Sequence, residues 1–169
     1  MVIIHQAIAG VSQQALARFA RRARRAADLK GKVNVVLASS REVRALNRRF
    51  CGKDKPTDVL SFPYMPAWPG SLARTRGAKT GATHAGDIVI SSDIAAASAR
   101  LHGHEPAQEV KILILHGVLH LAGYDHGRDA GQMARKEERL RRELGLSDGL
   151  IRRASAAEGG RAIGRARKR

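Results

Sequence analysis

The run His116-Gly117-Val118-Leu119-His120-Leu121-Ala122-Gly123-Tyr124-Asp125-His126 limits what this chain can fold into more than any other stretch. It continues from Val110, Ile112, Leu113, Ile114 and Leu115, so the segment is apolar nearly all round and predicts a buried helix. A step of four residues is close to one helical turn, which sets His116 and His120 on one face. Gly123 can take the left-handed conformation that ends a helix, letting the chain turn back and carry His126 toward the same point. A lone histidine on such a helix serves more often as a satisfied core residue than as a ligand. Three in this frame have a different meaning, because buried imidazoles need their ring nitrogens satisfied and one shared metal ion does that. Three neutral imidazoles with an open fourth position are the ligand set of a catalytic zinc site, and His116, His120 and His126 are assigned as metal ligands on that ground. One zinc per chain is the first expectation, with nickel, copper and iron left open by the imidazole donors.

The spacing matches the H-x-x-x-H-x-x-G-x-x-H frame of the metzincin zinc peptidases. Those enzymes carry a glutamate directly after the first histidine as general base, where this chain has Gly117. The ligand set is present without the base, which disfavours peptide hydrolysis. Zinc lowers the pKa of bound water and polarises a phosphoryl oxygen, so phosphodiester hydrolysis is open to such a site without a covalent enzyme intermediate. Asp125, beside His126, is a candidate for orienting that ligand or the water, and equally for capping or supporting the loop.

Charge narrows the substrate. Of 169 residues, 31 are Lys or Arg and 15 are Asp or Glu, a net +16 that favours a polyanion such as RNA over an acidic small molecule. Aromatic residues make up only 4%, so phosphate electrostatics rather than an extended base-stacking platform should carry affinity. The length fits one domain. The single cysteine, Cys51, excludes an intrachain disulfide and agrees with a reducing compartment; it reads as a small, partly buried residue. No apolar run is long enough to span a bilayer, and Met1 to Gly10 lacks the basic start of a signal peptide. A soluble, cytoplasmic protein without a membrane partner is expected.

Met1 to Gly10 reads as an edge strand. A basic amphipathic helix follows, with Ser12 as N-cap and its stop near Gly31, presenting Arg18, Arg21, Arg22, Arg24 and Arg25 as a solvated face or an RNA contact. Val33 to Leu37 is β-branched and apolar, a buried strand. Ser40 is expected to cap a helix through Phe50, with Val43, Leu46 and Phe50 facing inward. Val59 to Phe62 and Ala85 to Ser91 read as strands, and Ser92 to Leu101 as a helix. Residues 63–85 read as a loop whose Arg74, Arg76 and Lys79 could swing over a polyanion. A helix from about Asp129 to Leu144 looks like an exposed, charge-paired surface that includes Glu137 and Glu138, with Met133 packing into the core. Strands and helices alternate early and helices cluster late, predicting an α+β fold with a small mixed sheet against the buried histidine helix. That domain spans 1–146; residues 147–169, rich in Ala, Gly and Arg, read as a disordered basic tail that adds non-specific nucleic-acid affinity. His5, His84, His102 and His104 lack the ligand frame.

Beyond the histidine motif, Leu46-Asn47 with Gly52-Lys53-Asp54-Lys55-Pro56-Thr57-Asp58-Val59-Leu60-Ser61-Phe62-Pro63, and then Gly86-Asp87-Ile88-Val89-Ile90-Ser91, resemble the other signatures of the YbeY family of metal-dependent endoribonucleases. Met133, Glu137 and Glu138 fit the helix that usually follows the histidine motif in that family, and the resemblance runs from Leu46 to Leu140. It implies a compact α+β domain with one zinc held by the three histidines. The implied activity is a single-strand-specific endoribonuclease acting in small-subunit rRNA 3′-end maturation and ribosome quality control, with ribosomal RNA and ribosomal proteins as partners. The family places an arginine immediately before the Gly-Lys-Asp-Lys-Pro-Thr stretch, facing the metal cleft; here Cys51 stands there. Arg48 and Arg49 lie near in sequence but point elsewhere on a helix. Arg48, Arg49, Lys53 and Lys55 are the candidates for holding RNA phosphate, and Arg49 and Asp125 the candidates for a catalytic role. The departure at Cys51 leaves open a non-catalytic RNA-binding assembly factor with a structural zinc.

Overall fold

Serine hydroxyls start three of the helices in the computed structural model, which describes residues 1–64 and 84–146. Ser12 caps α1 (Gln13–Ala26) through the amide of Ala15, and Ser91 caps α3 (Ser92–His102) through the amide of Ile94. Ser39 caps α2 (Ser40–Cys51) in a reciprocal capping box, its hydroxyl accepting from Glu42 N while the Glu42 carboxylate accepts from Ser39 N. The cap is therefore Ser39 rather than Ser40, because Glu42 stands three residues after Ser39. Pro106 opens α4 (Pro106–Leu121), where the missing amide hydrogen leaves nothing unpaired.

Four strands form one mixed sheet in the order β1-β2-β4-β3. β1 (Val2–Ile4) and β2 (Lys32–Ala38) are parallel, as are β2 and β4 (His84–Ser91), while β3 (Val59–Pro63) runs antiparallel to β4. Strand alternation divides the apolar residues between two faces. Val33, Val35, Leu37, Ile88 and Ile90 join the large core with Leu16, Phe19 and Ala23 of α1, α4 and Met133 and Leu140 of α5 (Gln132–Leu144). Val36, Ala38, Leu60, Phe62 and Val89 face the other way, where Val43 and Leu46 of α2 cover them. The α+β architecture and the buried histidine helix stand as expected, with α4 packed among α1, α3, α5, β3 and β4.

Several local expectations are corrected. Phe50 does not face inward but is 49% exposed, its ring edge-on to Phe62 at 5.3 Å between centroids. Cys51, expected to be partly buried, is exposed. Helix α1 stops at Ala26, before Asp28 takes a positive φ of 55°, rather than near Gly31. Helix α5 starts at Gln132 and not at Asp129, whose carboxylate instead accepts from Met133 N at 2.9 Å. Arg74, Arg76, Lys79 and the basic stretch 147–169 lie outside the described residues.

Candidate metal centre

Close packing fixes where α4 sits. A Cβ added at Gly117 would lie 2.8 and 2.9 Å from the Ile88 side chain and 3.0 Å from Ser61 Oγ, so the helix rests directly on β4 and β3 at this point. The Ser61 hydroxyl donates to the Gly117 carbonyl at 3.4 Å. One turn on, Gly86 of β4, with φ at +153°, lies where a Cβ would come within 2.7 Å of Leu121 Cδ2. Glycine is required on both sides of this contact, at the end of the sheet where the metal helix terminates. A glutamate at 117, where the zinc peptidases hold their general base, would collide with the Ile88 and Ser61 side chains, so Gly117 is a packing residue.

After Leu121 the chain turns through Gly123, whose φ is +91°, and returns His126 to the helix end. The three imidazoles then form a triangle with ring centroids 4.7 Å apart for His116 and His120, and 5.5 Å for each of these with His126. One ring nitrogen from each lies within 4.8 Å of the others, a grouping that could hold a metal ion. Exposure is graded: His116 is 4% exposed, His120 is half-buried and His126 is exposed, so the triangle opens to solvent on the His126 side.

Glu137 sets the buried end of this site. His116 Nδ1 donates to Glu137 Oε1 at 3.3 Å, and Glu137 is 2% exposed. Holding the proton on Nδ1 leaves the Nε2 lone pair of His116 directed into the triangle. His116 Nε2 and His120 Nε2 face each other at 3.1 Å, close enough for one cation to take both as ligands. Burial lowers the pKa of His120, and the neighbouring His116 and His126 lower it further, so the ring is held in the neutral form that ligates. The donor chemistry therefore fits a divalent transition metal with nitrogen preference. Glu137, expected on an exposed charge-paired face, is instead an interior carboxylate. Its place was readable from spacing, since Met133, Glu137 and Leu140 form one inward stripe of α5.

Asp125 folds back on its own loop. Its Oδ1 accepts from Gly127 N at 3.0 Å, its backbone carbonyl accepts from Arg128 N and Asp129 N, and Arg128 Nε lies 3.5 Å from Oδ2. These contacts shape the turn that delivers His126. Arg48, Arg49, Lys53 and Lys55 are exposed, on or just after α2, and no contact among the described residues joins them to the histidines. Arg49 stacks its guanidinium 5.2 Å above the Phe50 ring. Sequence reasoning counted Asn47 in a family signature without giving it a role; it is buried and donates from Nδ2 to the Lys55 carbonyl at 2.7 Å while its own carbonyl accepts from Lys53 N. It fixes the course of the Lys53 to Lys55 loop. The other histidines stay apart from the centre: His5 meets Glu42, His84 meets Asp87, and His104 meets Glu109.

A buried helix and the turn after it, bringing together three imidazoles backed by an interior carboxylate, define an α+β domain with a grouping that could hold one metal ion. Comparison with known proteins makes this specific. The chain belongs to the endoribonuclease YbeY family, whose sequence model, described as "Endoribonuclease YbeY", matches residues 2–145. An "Endoribonuclease YbeY" of Koribacter versatilis is 50% identical over 155 residues, covering 92% of each chain. One of Solibacter usitatus is 41% identical over 155 residues, covering 92% of this chain and 95% of the relative. A solution structure from Thermotoga maritima superposes with a TM-score of 0.55 at 27% identity, covering 85% of this chain and 89% of the other.

Proposed function

We propose that this protein is a metal-dependent endoribonuclease in which His116, His120 and His126 hold one zinc, and that its substrate is the precursor of small-subunit ribosomal RNA, trimmed at the 3′ end in ribosome maturation and quality control. The observation that carries the proposal is the convergence of three imidazoles at the solvent-open end of a buried helix, in a chain whose relatives bear the name endoribonuclease. A structural zinc is closed off by four protein ligands, whereas a catalytic one keeps a position for substrate. Here three imidazoles meet and the third is exposed, which supports catalysis. A bound divalent ion supplies Lewis acidity toward a phosphoryl oxygen and toward water. The chain supplies the rest: Glu137 orients His116, Asp125 shapes the turn before His126, and Lys53, Lys55 and the arginines of α2 offer positive charge to phosphate. Residues 1–146 form the catalytic domain and 147–169 a basic extension. The cytoplasm is its compartment, and among the described residues no helix is long and apolar enough to cross a membrane.

Cys51 supports a second reading, a non-catalytic ribosome assembly factor that binds RNA around a structural metal, because an exposed thiol stands where the family carries an arginine. Incubating a labelled ribosomal RNA precursor with wild type and with His120→Ala, each of recorded metal content, separates the two. The enzyme predicts cleavage by wild type and its loss in a variant that still folds and binds RNA. Processing that persists in a folded His120→Ala variant contradicts it.

A further inference from the structure

Helix α1 carries Arg18, Arg21, Arg22 and Arg25 on its exposed side, opposite the buried Leu16, Phe19, Ala20 and Ala23. At 100° per residue these four arginines fall within one arc, and Arg18 to Arg25 spans about 10 Å along the axis. The helix Gln13–Ala26 has no acidic residue, and among the described residues no carboxylate pairs with any of the four. Some arginines elsewhere are paired with carboxylates: Glu138 holds Arg141 and Arg142 on α5, and Asp54 holds Arg44. The pairs Arg18/Arg22 and Arg21/Arg25 are like charges four residues apart, an arrangement that destabilises an isolated helix. A merely solvated face would be more stable with its charges mixed.

The position of this face matters as much as its charge. The Met1 ammonium donates to the Val33 carbonyl at 2.9 Å, which sets the start of β1 beside Lys32, and α1 packs against both β1 and β2. Lys32 begins β2 at the sheet end where Val33 pairs with Gly86, and Gly86 abuts Leu121, the residue after His120. Lys32 thus adds a positive charge at the end of the sheet at which the imidazoles converge, where Asp87 of β4 is paired with His84.

We infer that the exposed arginine face of α1, extended by Lys32, is a second anchoring surface for the phosphate backbone of the RNA that enters the metal centre. The inference rests on RNA being the substrate. It makes affinity depend on RNA long enough to reach α1, and it makes that part of the affinity electrostatic and independent of sequence.

The test uses the full chain with its metal. Arg18, Arg21, Arg22 and Arg25 are replaced together by Gln in one variant and by Lys in another, and binding of a short and a long fluorescent single-stranded RNA is titrated by anisotropy over a range of salt. Glutamine is a good helix former and removes the repulsion, so the fold should be kept, as circular dichroism and thermal melting will report. For the long RNA, the Gln variant should bind about 10-fold or more weakly at low salt, with a log–log salt slope shallower by about 3, at roughly 0.7 per phosphate contact. The Lys variant should follow wild type, and the short RNA should bind all three alike. Equal slopes and affinities for wild type and a folded Gln variant overturn the inference. So does a Gln variant that keeps its RNA affinity but loses sedimentation with phosphatidylserine vesicles, which would make the face a membrane contact. If wild type cleaves RNA and the Gln variant binds it unchanged, this inference fails while the activity stands. If wild type shows the slope and the Gln variant loses it, yet no RNA is cut, the inference stands and the activity fails.

Discussion

Glu137 is buried beside His116 with its carboxylate 3.3 Å from Nδ1, and this one contact decides which nitrogen of His116 faces the metal triangle. Replacing it by Gln keeps the shape but removes the charge that fixes the proton on Nδ1. Outer partners of ligating histidines typically contribute about 10–100-fold to metal affinity. A chelator competition should therefore show Glu137→Gln binding zinc about 10–100-fold more weakly than wild type, with little change in unfolding midpoint when both are metal-free. Equal zinc affinity would mean that Glu137 only fills space. The three histidines were legible because their spacing is itself geometry. Glu137 was not recognised, because a charged residue within a charge-rich helix looks solvated unless its place in the Met133 and Leu140 stripe is weighed first. Asn47 was noted only as part of a family signature, because its hydrogen bond joins α2 to a loop eight residues away and no local pattern reveals that role.

The elements were largely readable, and their errors have local causes. Helix starts followed the serine caps, although the capping box moved one cap to Ser39, and Phe50, at the end of α2, meets the minor face of the sheet only edge-on at Phe62 and stays 49% exposed. Helix α4 depends on Gly117 for its seat against Ile88 and Ser61. The extra methyl of Gly117→Ala, 2.8 Å from Ile88 Cγ2, must displace the buried Ile88 side chain or the helix itself. Overpacking of this kind destabilises by about 1–3 kcal/mol, to be measured by urea unfolding; an unchanged midpoint would mean that the helix is not held there. On α5, hydrogen bonds from Arg141 lead the causes, with Arg142 adding, that lower the Glu138 pKa from 4.5 to about 2. A carboxylate with a depressed pKa contributes stability that is full above pH 4.5 and is lost as the pH falls toward 2. The difference in melting temperature between wild type and Glu138→Gln should accordingly be present at neutral pH and vanish toward pH 2. A difference that stays constant would assign the effect to packing.

At the scale of the molecule, topology gathers what the sequence only lines up. The parallel pairing of β2 with β4 puts Gly86 against the last turn of α4, and the turn at Gly123 closes the site from the other side. The Gly123 turn was legible in the residues, whereas the Gly86 contact was not, since it depends on strand order. The net charge of +16 predicted a polyanion but not where it would lie; the fold distributes exposed arginines and lysines over α1, the start of β2 and the end of α2. Everything proposed for function passes through the three-histidine centre. The most direct measurement is cleavage of single-stranded ribosomal RNA by protein stripped with a chelator and then titrated with zinc. The stripped protein should be inactive, and activity should return in proportion to zinc and saturate near one ion per chain. Cleavage by the stripped protein at the rate of the loaded one would contradict a metal-dependent ribonuclease.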